Sequence, residues 1–221
     1  MSSLQIAPHT VLVHGLGRTR YDMLLLARRL RRLIPETTVH TFGYASRHLT
    51  ISQAAEQLDS FIAKIAQGAP VSFVAHSLGG IVVRALDSYD TISAPLHRLV
   101  TLGSPHNGAT IARILKNYSA MRSLFGPALS ELGDLTLSKR SNHLEIGCVI
   151  GSLHSVWGAL SIFSEDNDGL VLVREAHLEG SQGEIIIPIF HGVFPFSRRA
   201  ADLSASFLRT GLFLPPQNSA V

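Results

Sequence analysis

The 221-residue sequence predicts an α/β fold, a mostly parallel central sheet with helices on both faces. Three observations predict it. Apolar runs at 10–14, 38–42, 71–75, 98–102, 146–150 and 184–190 alternate with helix-patterned segments at 20–34, 51–67, 78–89, 109–117, 170–177 and 198–209. The runs are rich in β-branched residues and apolar at consecutive positions, as strands buried on both faces should be. No repeat or low-complexity tract interrupts the alternation, so one domain over 1–213 is expected, with a disordered tail at 214–221 that contains Pro215-Pro216.

Taken in order, the first run, Thr10-Val11-Leu12-Val13, enters His14-Gly15-Leu16-Gly17, a glycine-rich turn. Phosphate binding is one reading of such a turn. G-x-G-x-x-G is not completed, because position 20 is Arg20, so a dinucleotide site is not expected. The helix that follows carries Arg28, Arg29, Arg31 and Arg32. Such a cluster is a solvated helix face or a patch for nucleic acid or anionic lipid. Aromatic residues are not interleaved with it, and nucleic-acid binding is not expected. The third run, Val71 to Ala75, leads directly into His76-Ser77-Leu78-Gly79-Gly80 and a further helix. A serine on a tight strand-to-helix turn needs small neighbours, and Ala75 and Gly79 supply them. A helix N-cap after a buried strand is the plainer reading of Ser77. Between 107 and 142 the pattern is irregular but apolar. A segment this long without clear structure either walls or covers a pocket, or is an ordinary packing helix with a surface excursion. The fifth run contains Cys148, the sole cysteine, read as a buried spectator.

Composition narrows the class. The chain is 46% apolar with 19 basic and 16 acidic residues and a mean hydropathy of +0.24. These values fit a compact enzyme with modest charge. No run approaches the roughly 18 apolar residues that span a bilayer, and no signal-peptide pattern opens the chain. A cytoplasmic protein without stable membrane insertion is the expectation.

Four segments carry a resemblance: His14-Gly15-Leu16-Gly17, Ala75-His76-Ser77-Leu78-Gly79-Gly80, Thr101-Leu102-Gly103-Ser104-Pro105-His106-Asn107-Gly108 and Asn167-Asp168-Gly169-Leu170-Val171. In these the chain resembles α/β-hydrolases, specifically the small lipase/esterase branch that includes bacterial triacylglycerol lipases and GPI-inositol-deacylase-like proteins. The first glycine of G-x-S-x-G is alanine here, a departure of one methyl. The resemblance implies a serine hydrolase acting on a small-molecule or lipid acyl ester, with no cofactor.

The catalytic order in this fold is serine, acid, histidine. Ser77 is the expected nucleophile. Asp168 is the expected acid, at the turn where the resemblance places one, with Asp166 its near competitor. His191 is the expected base, at the end of the last apolar run, with His177 the rival after Asp168. The N–H groups of Leu16 and Leu78 are expected to hold the oxyanion. His14 and His76, which precede the required order, are expected to line the substrate site. Some relatives hold calcium through acids just after the histidine. Here no acid stands between His191 and Asp202, so no required metal is expected. The same constellation leaves open a thioesterase, an amidase or a phospholipid deacylase, and further off a non-catalytic binding homologue.

Overall fold

A computed structural model describes residues 6–135, 144–153 and 165–214. The tail from Pro215 and the second part of the 107–142 segment, from 136 onward, lie outside the described residues. Six strands form one parallel sheet: β1 (His9–Val13), β2 (Thr38–Phe42), β3 (Val71–His76), β4 (Leu96–Leu102), β5 (Glu145–Gly151) and β6 (Gly183–Ile187), ordered β2-β1-β3-β4-β5-β6. This is the parallel sheet with helices on both faces that the sequence predicts.

Alternation along each strand explains the unbroken apolar runs. Val11, Val13, Phe73 and Ala75 face one helical layer, whereas Leu12, Val74, Val100 and Val149 face the other. Successive residues point to opposite faces, and both faces are covered. Helices α2 (Ile51–Ala66) and α3 (Leu78–Asp87) cover the first face. Helices α1 (Leu24–Leu33) and α8 (Arg198–Thr210) cover the second. Thr50 starts α2 by accepting the Gln53 N–H, and Ser197 starts α8 by accepting the Ala200 N–H.

The segment after β4 folds into three short helices, α4 (Thr110–Leu115), α5 (Ser119–Phe125) and α6 (Pro127–Gly133). It is tied to α2 by Glu131, which accepts the Ile51 N–H, and closed on itself by Leu132 O, which accepts the Ala109 N–H.

Two elements differ from the sequence pattern. Only Val173–Ala176 (α7) of the expected 170–177 helix is helical. The Asp168 carboxylate binds the N–H groups of Leu170 and Val171, and Gly169 takes φ +100, so a turn replaces the first helical turn. β6 ends at Ile187 rather than 190, where Pro188 offers no N–H to the ladder.

The chain leaves β1 for β2 on one side and later places β3 on the other. Ligands of open α/β sheets bind at such a switch point, beyond the carboxyl ends of the strands. His14 to Gly17 follow β1 there, and Ser77 follows β3.

Candidate active site

Ser77 stands between β3 and α3 with φ 54° and ψ −123°. Among the described residues only Gln67 is also a non-glycine with positive φ, and Gln67 is an ordinary left-handed helix cap. The ψ of Ser77 lies outside that left-handed well. Backbone strain of this kind costs about 1–3 kcal/mol and persists only where packing over-determines it. Here the packing is explicit. A Cβ on Gly79 would lie 2.6 Å from Val13 O, and one on Gly80 would lie 2.2 Å from Ser104 Oγ. Helix α3 therefore presses against the ends of β1 and β4 with no room for a methyl. A Cβ on Gly15 would lie 3.0 Å from Ser77 Cβ, so the β1 turn passes directly beside the serine.

The connections that follow β5 and β6 supply a buried histidine–carboxylate pair. Asp168 is 1% exposed and His191 6% exposed, with His191 Nδ1 2.7 Å from Asp168 Oδ2. The other carboxylate oxygen accepts the N–H groups of Leu170 and Val171 at 3.1 and 2.8 Å. The His191 N–H also donates to Asp168 O at 2.8 Å, so the two residues are clamped by main chain and side chain together. His191 begins a short 3₁₀ helix, His191–Phe196. Asp166 does not join the pair, since its carboxylate accepts the Ser152 hydroxyl at 2.6 Å. His177 is remote from it and contacts Glu184 at 2.7 Å.

Ser77, His76 and His191 line a cavity of about 430 Å³ together with Leu16. Its walls are apolar: Ile111, Ala112 and Leu115 of α4, Phe125 of α5, Leu129 and Leu132 of α6, and Leu170 and Val171 of the acid turn. The irregular segment after β4 thus builds one wall. Arg18, Asp22 and Arg47 add the charged groups.

The Leu16 turn is fixed on both sides. The Gly17 N–H donates to Ser46 Oγ, and the Arg18 N–H donates to Gly15 O. Leu78 is the first residue of α3, so its N–H has no partner in the preceding turn. Its side chain is buried in the core.

The two flanking histidines separate. His14 does not line the cavity with Ser77, contrary to the substrate-lining expectation. Its ring stacks on Tyr44, with centroids 4.4 Å apart, and its Nε2 accepts the Tyr44 N–H. Its Nδ1 then carries the hydrogen and donates to Gly15 O. The physical reason is Tyr44, whose N–H binds the ring and whose hydroxyl donates to His14 O, holding the side chain beside the end of β2. Burial pushes the His14 pKa down. His76 does line the cavity, and its Nε2 donates to His191 O at 3.0 Å. Burial holds the His76 pKa well below the usual histidine value, and the nearby His191 adds to the effect. His76 is therefore a neutral ring that fixes the backbone of His191.

Four contributors escape sequence reasoning. A Cβ on Gly103, which has φ +63, would meet Asp168 Oδ2 at 3.0 Å and His191 Nδ1 at 3.2 Å. A Cβ on Gly151 would meet Asp168 Cβ at 2.6 Å. These glycines at the ends of β4 and β5 make the space for the pair. Arg18 bridges Asp22 and Gly192 O, joining the β1 turn to the segment after His191. Glu175, 2% exposed, accepts the N–H groups of Thr110 and Leu172 and so ties α4 to the acid turn. A lone acid in an apolar helical stretch was the only available signal for Glu175.

With the geometry in place, comparison with known proteins adds the family. Residues 9–138 match the model of a family described as palmitoyl protein thioesterase. The chain belongs to this family. No curated protein sequence matches it. Among solved structures, the palmitoyl protein thioesterase family member described here is similar to the mature form of lipase BlEst2 from Bacillus licheniformis. That likeness has a TM-score of 0.63 at 18% identity and covers 86% of this chain and 90% of the lipase. It is also similar to the lin2722 product of Listeria innocua, with a TM-score of 0.63 at 16% identity over 96% and 97% of the two chains. The RedJ thioesterase of the prodiginine biosynthetic pathway in Streptomyces coelicolor gives a TM-score of 0.59 at 14% identity, over 95% and 88%. At these identities the structural neighbours establish the fold alone. The family match covers the β1 turn, the Ser77 elbow and the α4–α6 wall, but ends before Asp168 and His191.

Proposed function

We propose that the protein is a serine acyl hydrolase that cleaves carboxylic esters through Ser77, His191 and Asp168. The observation that carries this reading is the meeting of a strained serine with a buried histidine–carboxylate pair at one apolar cavity. Ser77 Oγ attacks the acyl carbonyl carbon while His191 Nε2 takes the hydroxyl proton. Asp168 Oδ2 accepts from Nδ1–H, which fixes the tautomer and stabilises the imidazolium. The N–H groups of Leu16 and Leu78 receive the charge that develops on the carbonyl oxygen. His191 gives its proton to the departing group, leaving an acyl-enzyme on Ser77. It then takes a proton from water, whose oxygen attacks the acyl carbon, and returns that proton to Ser77 Oγ as the bond to serine breaks and the acid is released. His14 supports the β1 turn, and His76 supports His191. Apolar walls and a volume of about 430 Å³ suit an apolar acyl group of short to medium length.

A thioester is the second reading, and the family match favours it specifically. The triad does not choose between oxygen and sulfur leaving groups. Matched pairs of O-esters and thioesters with acyl chains of increasing length, assayed with wild type and Ser77→Ala, test both. Turnover of either class that vanishes in Ser77→Ala supports the hydrolase, and the ratio assigns the leaving group. Absence of turnover on both classes, or retention of it by Ser77→Ala, would overturn the proposal.

A further inference from the structure

Helix α1 has an outer face that the hydrolase chemistry does not use. Met23, Leu26, Ala27 and Leu30 are buried against the sheet. On the outer side Tyr21, Leu25, Arg28 and Arg32 follow at helical spacing, with Leu24 beside them. Tyr21 is 65% exposed, Leu24 45% and Leu25 39%. Exposed leucines at consecutive positions do not assist folding, and solvent gains nothing from them.

The apolar strip continues onto a second element. The segment after His191 packs against α1, and the Arg29 guanidinium donates to Phe196 O. Val193 and Phe196 of that segment are each almost half exposed. Five large apolar side chains, from α1, the turn of 3₁₀ helix before it (Arg20–Met23) and the segment after His191, therefore share one surface with Arg28, Arg29 and Arg32. Arg31 turns away, donating to Val39 O.

Helix α1 carries charge of one sign on this surface. Helix α1 contains no acidic residue. Asp22, one turn earlier, is engaged by Arg18 and by Thr19. On α8, Arg198 and Arg199 are exposed together with Asp202. Apolar side chains interspersed with arginines suit an anionic lipid surface. The leucines and aromatics enter the headgroup–acyl boundary while the guanidinium groups meet lipid phosphates. Nucleic acid would use the arginines but would leave Leu24, Leu25, Val193 and Phe196 in water.

The surface also borders the site. Tyr21 and Val193 are chain neighbours of Asp22 and Gly192, both of which line the cavity beside Ser77. We propose that the outer face of α1 and the turn after His191 dock on an anionic bilayer surface, next to the cavity that takes the acyl group. The docking itself does not depend on hydrolysis. Its relevance to an acyl substrate rests on the function proposed above.

Cosedimentation with phosphatidylcholine vesicles, with and without phosphatidylglycerol, tests it. Binding is expected only to the phosphatidylglycerol-containing vesicles and should weaken as salt is raised. Arg28→Glu with Arg32→Glu should weaken it at least about tenfold, as about 1 kcal/mol per basic residue implies. Leu24→Ser with Leu25→Ser should also weaken it. Both double variants should keep the wild-type melting temperature and wild-type turnover of a water-soluble short-chain ester, because none of the four residues lines the cavity. Equal binding to both vesicle types, no binding by wild type, or unchanged binding by both variants would overturn the proposal. So would tighter binding to a DNA duplex than to vesicles.

Discussion

Gly103→Ala separates the cost of backbone strain from the cost of disturbing the Asp168–His191 pair. Gly103 directly follows β4 with φ +63, and an added Cβ would lie 2.9 Å from Phe194 Cε2, 3.0 Å from Asp168 Oδ2 and 3.2 Å from His191 Nδ1. Ordinary carbon contacts are about 3.5–4.0 Å. The pair must therefore move by several tenths of an ångström, against a hydrogen bond of 2.7 Å that two main-chain N–H groups also hold. Gly68 is the control. It has φ +85 with nothing within 4 Å of an added Cβ, so Gly68→Ala carries the backbone term alone. That term is about 1–2 kcal/mol for a left-handed non-glycine residue, a fall of roughly 2–8 °C in Tm for a chain of this size. Misplacement of a catalytic group by about 1 Å can cost on the order of 10²-fold in rate. A shift of part of that size predicts a fall in kcat/KM of about 10- to 100-fold for Gly103→Ala, and wild-type kinetics for Gly68→Ala. Hydrolysis of p-nitrophenyl butyrate and thermal melting by circular dichroism read the two terms. If Gly103→Ala were destabilised yet within about twofold of Gly68→Ala in kcat/KM, the Asp168–His191 pair would not be the catalytic one.

Three further outcomes are expected. Asp168→Asn should lower kcat by about 10⁴-fold, as in comparable triads. Asp166→Asn should cost only its bond to Ser152, about 1 kcal/mol in a denaturant titration with kcat nearly unchanged, and the reverse ranking would move the acid to Asp166. Stability should fall as pH drops below about 6.5. His76 has a folded pKa below its unfolded value, so the unfolded chain binds the extra proton, and stability rises with pH across that window. The slope is at most about 1.4 kcal/mol per pH unit for one such group, and His76→Gln should remove that share in urea titrations at pH 5 and 7. Activity should withstand EDTA, since no acid stands between His191 and Asp202, and chelator inactivation reversed by calcium would contradict this.

Much of this arrangement was legible in the sequence because the fold writes it in local patterns. Buried parallel strands leave continuous apolar runs, and the turns at Ser77 and at His14–Gly17 need small residues at defined offsets. What stayed hidden depends on packing between distant segments. Gly103 and Gly151 look like ordinary strand-end glycines until Asp168 and His191 are seen against them. His14 follows an apolar strand much as His76 does, yet its ring turns to Tyr44 of a different connection. The helix expected over 170–177 loses its first turn to the backbone, because Gly169 takes φ +100, Asn167 and Leu172 form an antiparallel bridge, and Leu172 is extended. The β4–β5 segment read equally as wall or surface, and its side chains at 111, 112, 115, 125, 129 and 132 line the cavity.

The central claim is that Ser77 is an activated nucleophile served by His191 and Asp168. Reaction with a fluorophosphonate, followed by peptide mapping in a mass spectrometer, tests it most directly, because the phosphonyl group stays on the oxygen that attacked it. The account predicts one adduct per chain, on Ser77, no label in Ser77→Ala, and labelling slowed at least about 100-fold in Asp168→Asn. An adduct on another serine, or a protein that hydrolyses esters while Ser77 remains unlabelled, would contradict it.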